Sequence, residues 1–346
     1  VLPKQAASVE LLRRRLLDLY RSWGYQLVIP PLMEFTDSLL IGLGRDLDLL
    51  TFRLTDQLSG RSMGIRADIT PQVARLDAHS LAADLEIVRL MLATLDAAGL
   101  QQVTLDLGHV GVYEAVLAAA NAIASVGGGS ARDPQQPDGL TQDQQRKVFD
   151  ALQRKSVPDL QLVLADAPPE VTELIIGLVD LHGDESVLGR ARDLFEVHAP
   201  GAIAAVDALE EVASGIRRQR PDLDIYFDLA ELRGYHYHTG IVFAAYVPGH
   251  GQALANGGRY NDVGAVFGRA RPATGFATDL KALMTLLSSE PAVAGAISMP
   301  DGDDPALLAV AEQLRAAGEI VVNCLGGDPD PRCDRELTKQ DGQWQI

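Results

Sequence analysis

Between residues 223 and 255 three strand-like runs follow one another with only turns between them: Leu223 to Ala230, Gly240 to Tyr246, and residues 252–255. Runs joined this tightly predict an antiparallel meander, because a parallel return would need a long crossover. Upstream, residues 140–218 carry a helical pattern throughout, an inserted or second helical module. Near the start, Val9, Leu12, Leu16, Leu19 and Trp23 recur at helical spacing, with Ser8 as the expected cap and Gly24 as the expected stop. Tyr25–Ile29 then predicts a buried strand broken by Pro30-Pro31. Arg66–Ile69 predicts a short strand, Thr70-Pro71 opens a helix to about His79, and residues 84–98 form another. Val103–Leu107 is a strand, Gly108, His109 and Gly111 mark a turn, and Val112–Ile123 is helical. The one low-complexity stretch, 126–139, lacks the lysine-serine step of a phosphate loop and reads as a solvated linker. Residues 276–287 return to a helix, and 297–346 hold a small module with a helix from Pro305 to Ala317 and a strand at 320–322.

Composition narrows the function classes. At 346 residues and 47% hydrophobic content, the chain has material for about two domains and a real core. Acidic residues outnumber basic ones 47 to 30, for a net charge of −17, the opposite of what a nucleic-acid binder needs. No apolar run approaches a membrane span, and no charged-then-apolar signal segment opens the sequence. The two cysteines, Cys324 and Cys333, have neither disulfide-scaffold number nor zinc spacing, so a reducing cytoplasm is expected.

Three segments could carry chemistry. The first, Leu232–Phe243, includes Arg233, Tyr235, His236, Tyr237 and His238; if extended, its histidines face one way and its tyrosines the other. A metal site would need a third ligand, and His109, His250 and Asp228 sit at no diagnostic spacing, so no metal is expected. A wet strand face would also account for these residues. In a third reading they form a polar pocket, in which Arg233 offers a rigid fork for a carboxylate or phosphate between tyrosine walls. In the second segment, Asn256–Asn261, Gly257-Gly258 permits close backbone approach, although a plain turn would explain it, and Arg259-Tyr260 could face the same cavity. The third, Arg66–Thr70, puts the Asp68 carboxylate at a strand end beside a helix start, where a capping role would explain it equally well.

Taken in order, these segments resemble the class II aminoacyl-tRNA synthetase core, specifically its histidyl branch, over about residues 1–290. Gly24–Pro31 with Glu34 looks like motif 1, which forms the family's dimer interface. Arg66–Thr70 resembles the Arg-Pro-Glu-Gly-Thr segment whose carboxylate holds the substrate amine. Arg233–Phe243 and Gly257–Tyr260 resemble the histidine-contacting stretches, and Gly275-Phe276-Ala277 opens a motif 3-like helix. The departures are informative. The arginine that holds ATP phosphate in motif 3 is Ala282 here, its second glycine is Asp279, and Lys281 replaces its glutamate. Motif 2 is missing: His79-Ser80 runs almost directly into Leu81, so either the segment is deleted, which would break the sheet, or the numbering passes over a real gap. Residues 297–346 hold ten acidic and four basic side chains, a poor tRNA reader.

A synthetase-like core that keeps a histidine pocket but loses its ATP and tRNA contacts is similar to the regulatory subunits of ATP phosphoribosyltransferase, a family of histidyl-synthetase paralogues. Met63–Gln72, the run 233–240 and the ending Cys333–Leu337 match that family's versions of these segments. The resemblance implies an α+β fold: a class II synthetase-like antiparallel sheet flanked by helices over 1–290, a helical insert at about 140–218, and a small C-terminal α/β module at 297–346. It implies no catalytic residues and no cofactor. It implies a dimer, assembly with the short-form catalytic subunit, and free histidine as the feedback effector. Asp68, helped by Thr70, would pair the ammonium of histidine, Arg233 would face its carboxylate, and Tyr237 and Tyr260 would flank its imidazole. The alternative is an enzyme, a histidyl-tRNA synthetase or a stand-alone adenylate-forming relative, and Ala282 and the acidic tail weigh against both.

Overall fold

The computed structural model describes residues 3–39, 51–65, 81–126, 139–232, 235, 238–261, 272–286, 295–325 and 330–346. The chain divides into two compact units, Leu12–Leu287 and a smaller one of Val1–Leu11 with Ser288–Ile346.

The first helix, α1 (Pro3–Ser22), starts earlier than the Ser8 cap predicts. Proline suits a first helical turn, and Ser8 lies buried inside the helix instead of capping it. The stop is as expected. Gly24 takes φ +88°, and the Tyr25 N–H donates to Tyr20 O across it at 3.0 Å. Tyr25–Ile29, expected to be a buried strand, pairs with no described strand, and Leu27, Val28 and Ile29 are 62%, 51% and 83% exposed. Beyond it, β1 (Met33–Phe35), β2 (Phe52–Thr55) and β3 (Ser62–Ile65) form a small antiparallel sheet in the order β1-β3-β2. A single helical turn, α2 (Thr36–Leu39), follows β1 directly. The expected strand at 66–69 and helix at 71–79 lie outside the described residues, as does most of the expected linker.

The main sheet of the larger unit has six strands: β4 (Thr104–His109), β5 (His182–Gly183), β6 (Asp224–Asp228), β7 (Ile241–Tyr246), β8 (Ala255–Arg259) and β9 (Thr274–Thr278), in the order β5-β6-β4-β7-β8-β9. The meander is real but shifted along the chain: it is β7-β8-β9. The strand β6 is not its first member, because β4 lies between β6 and β7, parallel to β6 and antiparallel to β7. Gly257-Gly258 lies within β8 and not in a turn, and β9 stands at the edge of the sheet among the described strands.

Helices α3 (Leu81–Ala97) and α4 (Val110–Val126) pack Val88, Met91, Leu95, Val112 and Val116 into the same core as Leu105 and Leu107 of β4. The turn expected at 108–111 has no length: β4 ends at His109 and α4 starts at Val110. Residues 140–218 are helical apart from short breaks, with Leu152, Leu174, Leu178, Phe195 and Leu209 fully buried. The helices are α5 (Gln142–Gln153), α6 (Val157–Val163), α7 (Pro169–Val179), α8 (Ser186–His198) and α9 (Ile203–Arg217). A complete capping box between Thr141 and Gln144 opens α5. An ion pair ties this region to the sheet: Lys155 Nζ lies 2.6 Å from Asp228 Oδ2, and Asp228 Oδ1 accepts the Ala230 N–H at 3.1 Å.

In the smaller unit, β10 (Ala296–Pro300) pairs parallel with both β11 (Val321–Cys324) and β12 (Cys333–Glu336), and the helix Pro305–Ala316 links β10 to β11. Ile297, Met299, Leu307, Ala311, Val321 and Leu337 form its core. A closing hairpin turns at Asp341-Gly342, both with positive φ, the conformation favoured in two-residue hairpin turns. Asp304 collects the indole N–H of Trp344, Lys339 Nζ and the Ala306 N–H, and these donors hold its carboxyl down to about 2. Cys324 and Cys333 are both free thiols. No helix among the described residues is long and apolar enough to cross a membrane.

Candidate functional site

The described part of the site is built where the ends of β4, β7 and β8 meet the start of α3. Arg259, the last residue of β8, donates from Nε and Nη2 to Asp84 Oδ2 at 3.0 and 2.9 Å. Asp84 sits in the first turn of α3 and its side chain is 1% exposed, against 12% for Arg259. Burial pushes the Asp84 carboxyl above its ordinary value, against the pull of the guanidinium. The Arg259 stem needs Gly240 beneath it, since a Cβ there would lie 2.9 Å from Arg259 Cδ. At Gly257 a Cβ would lie 2.1 Å from Gly275 O, so the glycine pair does permit the close strand approach expected of it.

His109, at the end of β4, accepts the Gly111 N–H on Nδ1 at 3.0 Å, so its proton sits on Nε2. Burial, with the Arg259 charge adding to it, pulls its pKa down to about 4. The folded state therefore favours the neutral ring, and that preference is complete only above the unfolded value near 6.5. Acidification from about pH 6.5 to pH 4 is expected to remove about 2–3 kcal/mol of stability. Urea titrations across that range will show the loss in the native chain and a flatter profile in His109→Gln; an equal slope in both would contradict it.

The chain before β7 is held from both sides. The Thr239 N–H donates to Arg259 O at 2.8 Å, the Val110 N–H to Gly240 O at 3.1 Å, and the Asn261 N–H to Thr239 Oγ1 at 2.9 Å. His238 is buried, its ring 3.0 Å from where a Cβ on Gly258 would stand. Tyr235 is not part of an extended run: its N–H turns back to Leu232 O, and its ring meets Tyr113 and Phe149 at 5.1 and 5.3 Å. It anchors the segment to α4 and α5. Tyr260, half-buried, follows β8, with its N–H on Ala273 O at 2.8 Å and its hydroxyl over Gly275.

Of the residues expected to contact histidine, Tyr260 is the one described; Asp68, Thr70, Arg233 and Tyr237 lie outside the described residues. Arg259, expected to face the cavity, gives its Nε and Nη2 N–H groups to Asp84. Gly275-Phe276-Ala277 is strand, and the helix it was expected to open, α10, runs Leu280–Thr285. Asp279 sets that start, its carboxylate accepting the Lys281 and Ala282 N–H groups at 2.7 and 3.3 Å. Sequence reasoning missed Asp84 and the neutral state of His109. An acidic residue in an otherwise apolar first helical turn was the available signal for the former.

The profile of the histidyl-tRNA synthetase family matches residues 1–83, 79–127 and 135–283, and that of the ATP phosphoribosyltransferase subunit HisZ C-terminal domain matches 294–346. Among solved structures, the ATP phosphoribosyltransferase regulatory subunit/histidyl-tRNA synthetase of Bacillus halodurans superposes with a TM-score of 0.79 at 20% identity, covering 97% of this chain and 94% of that one. The fold is thus the α+β fold of the histidyl-tRNA synthetase class. The ATP phosphoribosyltransferase regulatory subunit of Pseudomonas entomophila is 44% identical over 393 aligned positions, covering 100% of this chain and 95% of that protein. Its counterpart in Thioalkalivibrio sulfidiphilus is 44% identical over 395, with the same coverage. The chain belongs to the family of ATP phosphoribosyltransferase regulatory subunits.

Proposed function

We propose that the chain is the non-catalytic regulatory subunit of an ATP phosphoribosyltransferase, acting in the cytoplasm at the first step of histidine biosynthesis. It assembles with the short-form catalytic subunit, activates it and carries feedback by free histidine. The carrying observation is the 44% identity to regulatory subunits along the whole chain. The fold also matches a chain of the ATP phosphoribosyl transferase (HisG:HisZ) complex from Thermotoga maritima, at a TM-score of 0.55 and 15% identity over 78% of this chain. Loss of ATP chemistry has a local cause. Ala282 stands where the phosphate-holding arginine of the synthetases would be, and Asp279 serves instead as the cap of α10. Histidine is held by Asp68, Thr70, Arg233, Tyr237 and Tyr260, in the roles the resemblance implies, within a core of about 1–290 that carries the insert at 140–218 and precedes the module at 297–346.

Two copies pair through the motif 1-like stretch 24–40, whose Leu27, Val28, Ile29 and Leu32 are exposed. Light scattering at micromolar concentration is expected to give a dimer; a monomer alone would contradict the pairing. The wider reading is tested by mixing the tagged chain with a short-form catalytic subunit. Co-elution is expected, together with no pyrophosphate exchange between ATP and the chain in the presence of histidine. Robust exchange without co-elution would make it an enzyme.

A further inference from the structure

Helix α5 ends at Gln153, and the chain leaves it by a Schellman turn: the Lys155 N–H donates to Leu152 O and the Ser156 N–H to Ala151 O, both at 2.9 Å. The residue after the cap of such a turn takes left-handed backbone, where glycine is the usual choice because a Cβ is crowded there. Here it is Lys155, at φ +50°. Among the described residues Asp341 is the other non-glycine with positive φ, and a short polar side chain tolerates that conformation better than lysine does.

What the lysine contributes is reach. Its Nζ lies 2.6 Å from Oδ2 of Asp228, a buried residue at the end of β6. The other carboxylate oxygen accepts the Ala230 N–H at 3.1 Å, and the Glu231 N–H turns back to Asp228 O at 3.3 Å. Asp228 thus shapes the turn that delivers the chain to Leu232 and, next in sequence, Arg233. The same helix holds the other side of Arg233. Phe149, one turn before the end of α5, sets its ring 5.3 Å from that of Tyr235, whose N–H returns to Leu232 O at 3.0 Å. Contacts from α5 and its terminal turn therefore bracket Arg233, at Asp228 upstream and at Tyr235 downstream.

We propose that Lys155 is a positioning residue for the effector site. Its ion pair with Asp228, kept against the backbone preference of residue 155, sets the turn 228–232 and through it the placement of Arg233 for the carboxylate of histidine. Lys155 acts through Asp228 and not on the ligand. This role rests on histidine binding at Arg233, as proposed for the chain.

Lys155→Gly and Lys155→Arg separate positioning from plain stabilisation. The lysine side chain is 35% exposed, so the pair adds little to global stability, and glycine relieves the left-handed backbone. The urea midpoint of Lys155→Gly is therefore expected to stay level or rise, while its histidine affinity by isothermal titration falls about tenfold. Lys155→Arg, which keeps the charge, should bind histidine like the native chain. Without ligand, hydrogen exchange at 229–235 should quicken at least about tenfold in Lys155→Gly and stay unchanged in the core of α5. Native affinity or native exchange in Lys155→Gly would overturn the proposal. So would a fall in affinity accompanied by a lowered urea midpoint, which would make the pair a general stabiliser. The two failures are distinguishable: a native chain that binds no histidine sinks the effector site itself, whereas binding that survives Lys155→Gly sinks only the role of Lys155.

Discussion

Replacing Asp84 with alanine is expected to destabilise the larger unit by about 3–5 kcal/mol, because it leaves the Arg259 guanidinium buried and without its carboxylate. Both Arg259 donors converge on one Asp84 oxygen, and the two side chains are 12% and 1% exposed, so water cannot readily replace the lost partner. The pair joins the start of α3 to the end of β8, 175 residues apart in sequence. Removing both charges, as Asp84→Ala with Arg259→Met, should recover much of the loss, since the cost lies in keeping a guanidinium buried after its Asp84 contacts are gone more than in the missing attraction. Urea unfolding of the single and double variants measures this. A single-variant loss under about 1 kcal/mol would show that solvent reaches the pair after all.

The second large effect concerns the effector. If histidine sits as proposed, Asp68→Ala and Arg233→Ala are each expected to weaken its binding by about 2–5 kcal/mol, roughly 30- to 4,000-fold, because each would strand one charge of the zwitterion. Assembly with the catalytic subunit and the far-UV spectrum should be retained in both. Isothermal titration of each variant with histidine separates the outcomes: unchanged affinity in both would place the effector elsewhere on the chain.

How much of this could be read in the sequence depended on the range of the interaction. Helical periodicity placed α1, α3 and the helices of 140–218 well, because those signals lie within a few residues of one another. Its errors were of two kinds. Some were local competitions: Asp279 takes the first N–H groups of α10, so Gly275–Ala277 stays in β9, and Pro3 starts α1 ahead of Ser8. Others were long-range. Nothing near Leu223 or Gly240 says that β4 will lie between β6 and β7, and nothing near Tyr25 says that Leu27–Ile29 will stay exposed. At the site, the ordered motifs marked the segments, and of the residues they named for histidine Tyr260 is the one described, directly after β8. The order carried no information about how Arg259 is used, because Asp84 approaches it from a distant helix that reads as ordinary core.

The regulatory account is tested most directly by a reconstituted transferase assay. A short-form catalytic subunit is assayed for phosphoribosyl transfer to ATP alone, then with this chain, then with this chain and increasing histidine. The account predicts that the chain raises the rate and that histidine lowers it again in the native complex but not in the Arg233→Ala complex. A rate indifferent to the chain, or inhibition by histidine that persists unchanged with Arg233→Ala, would contradict it.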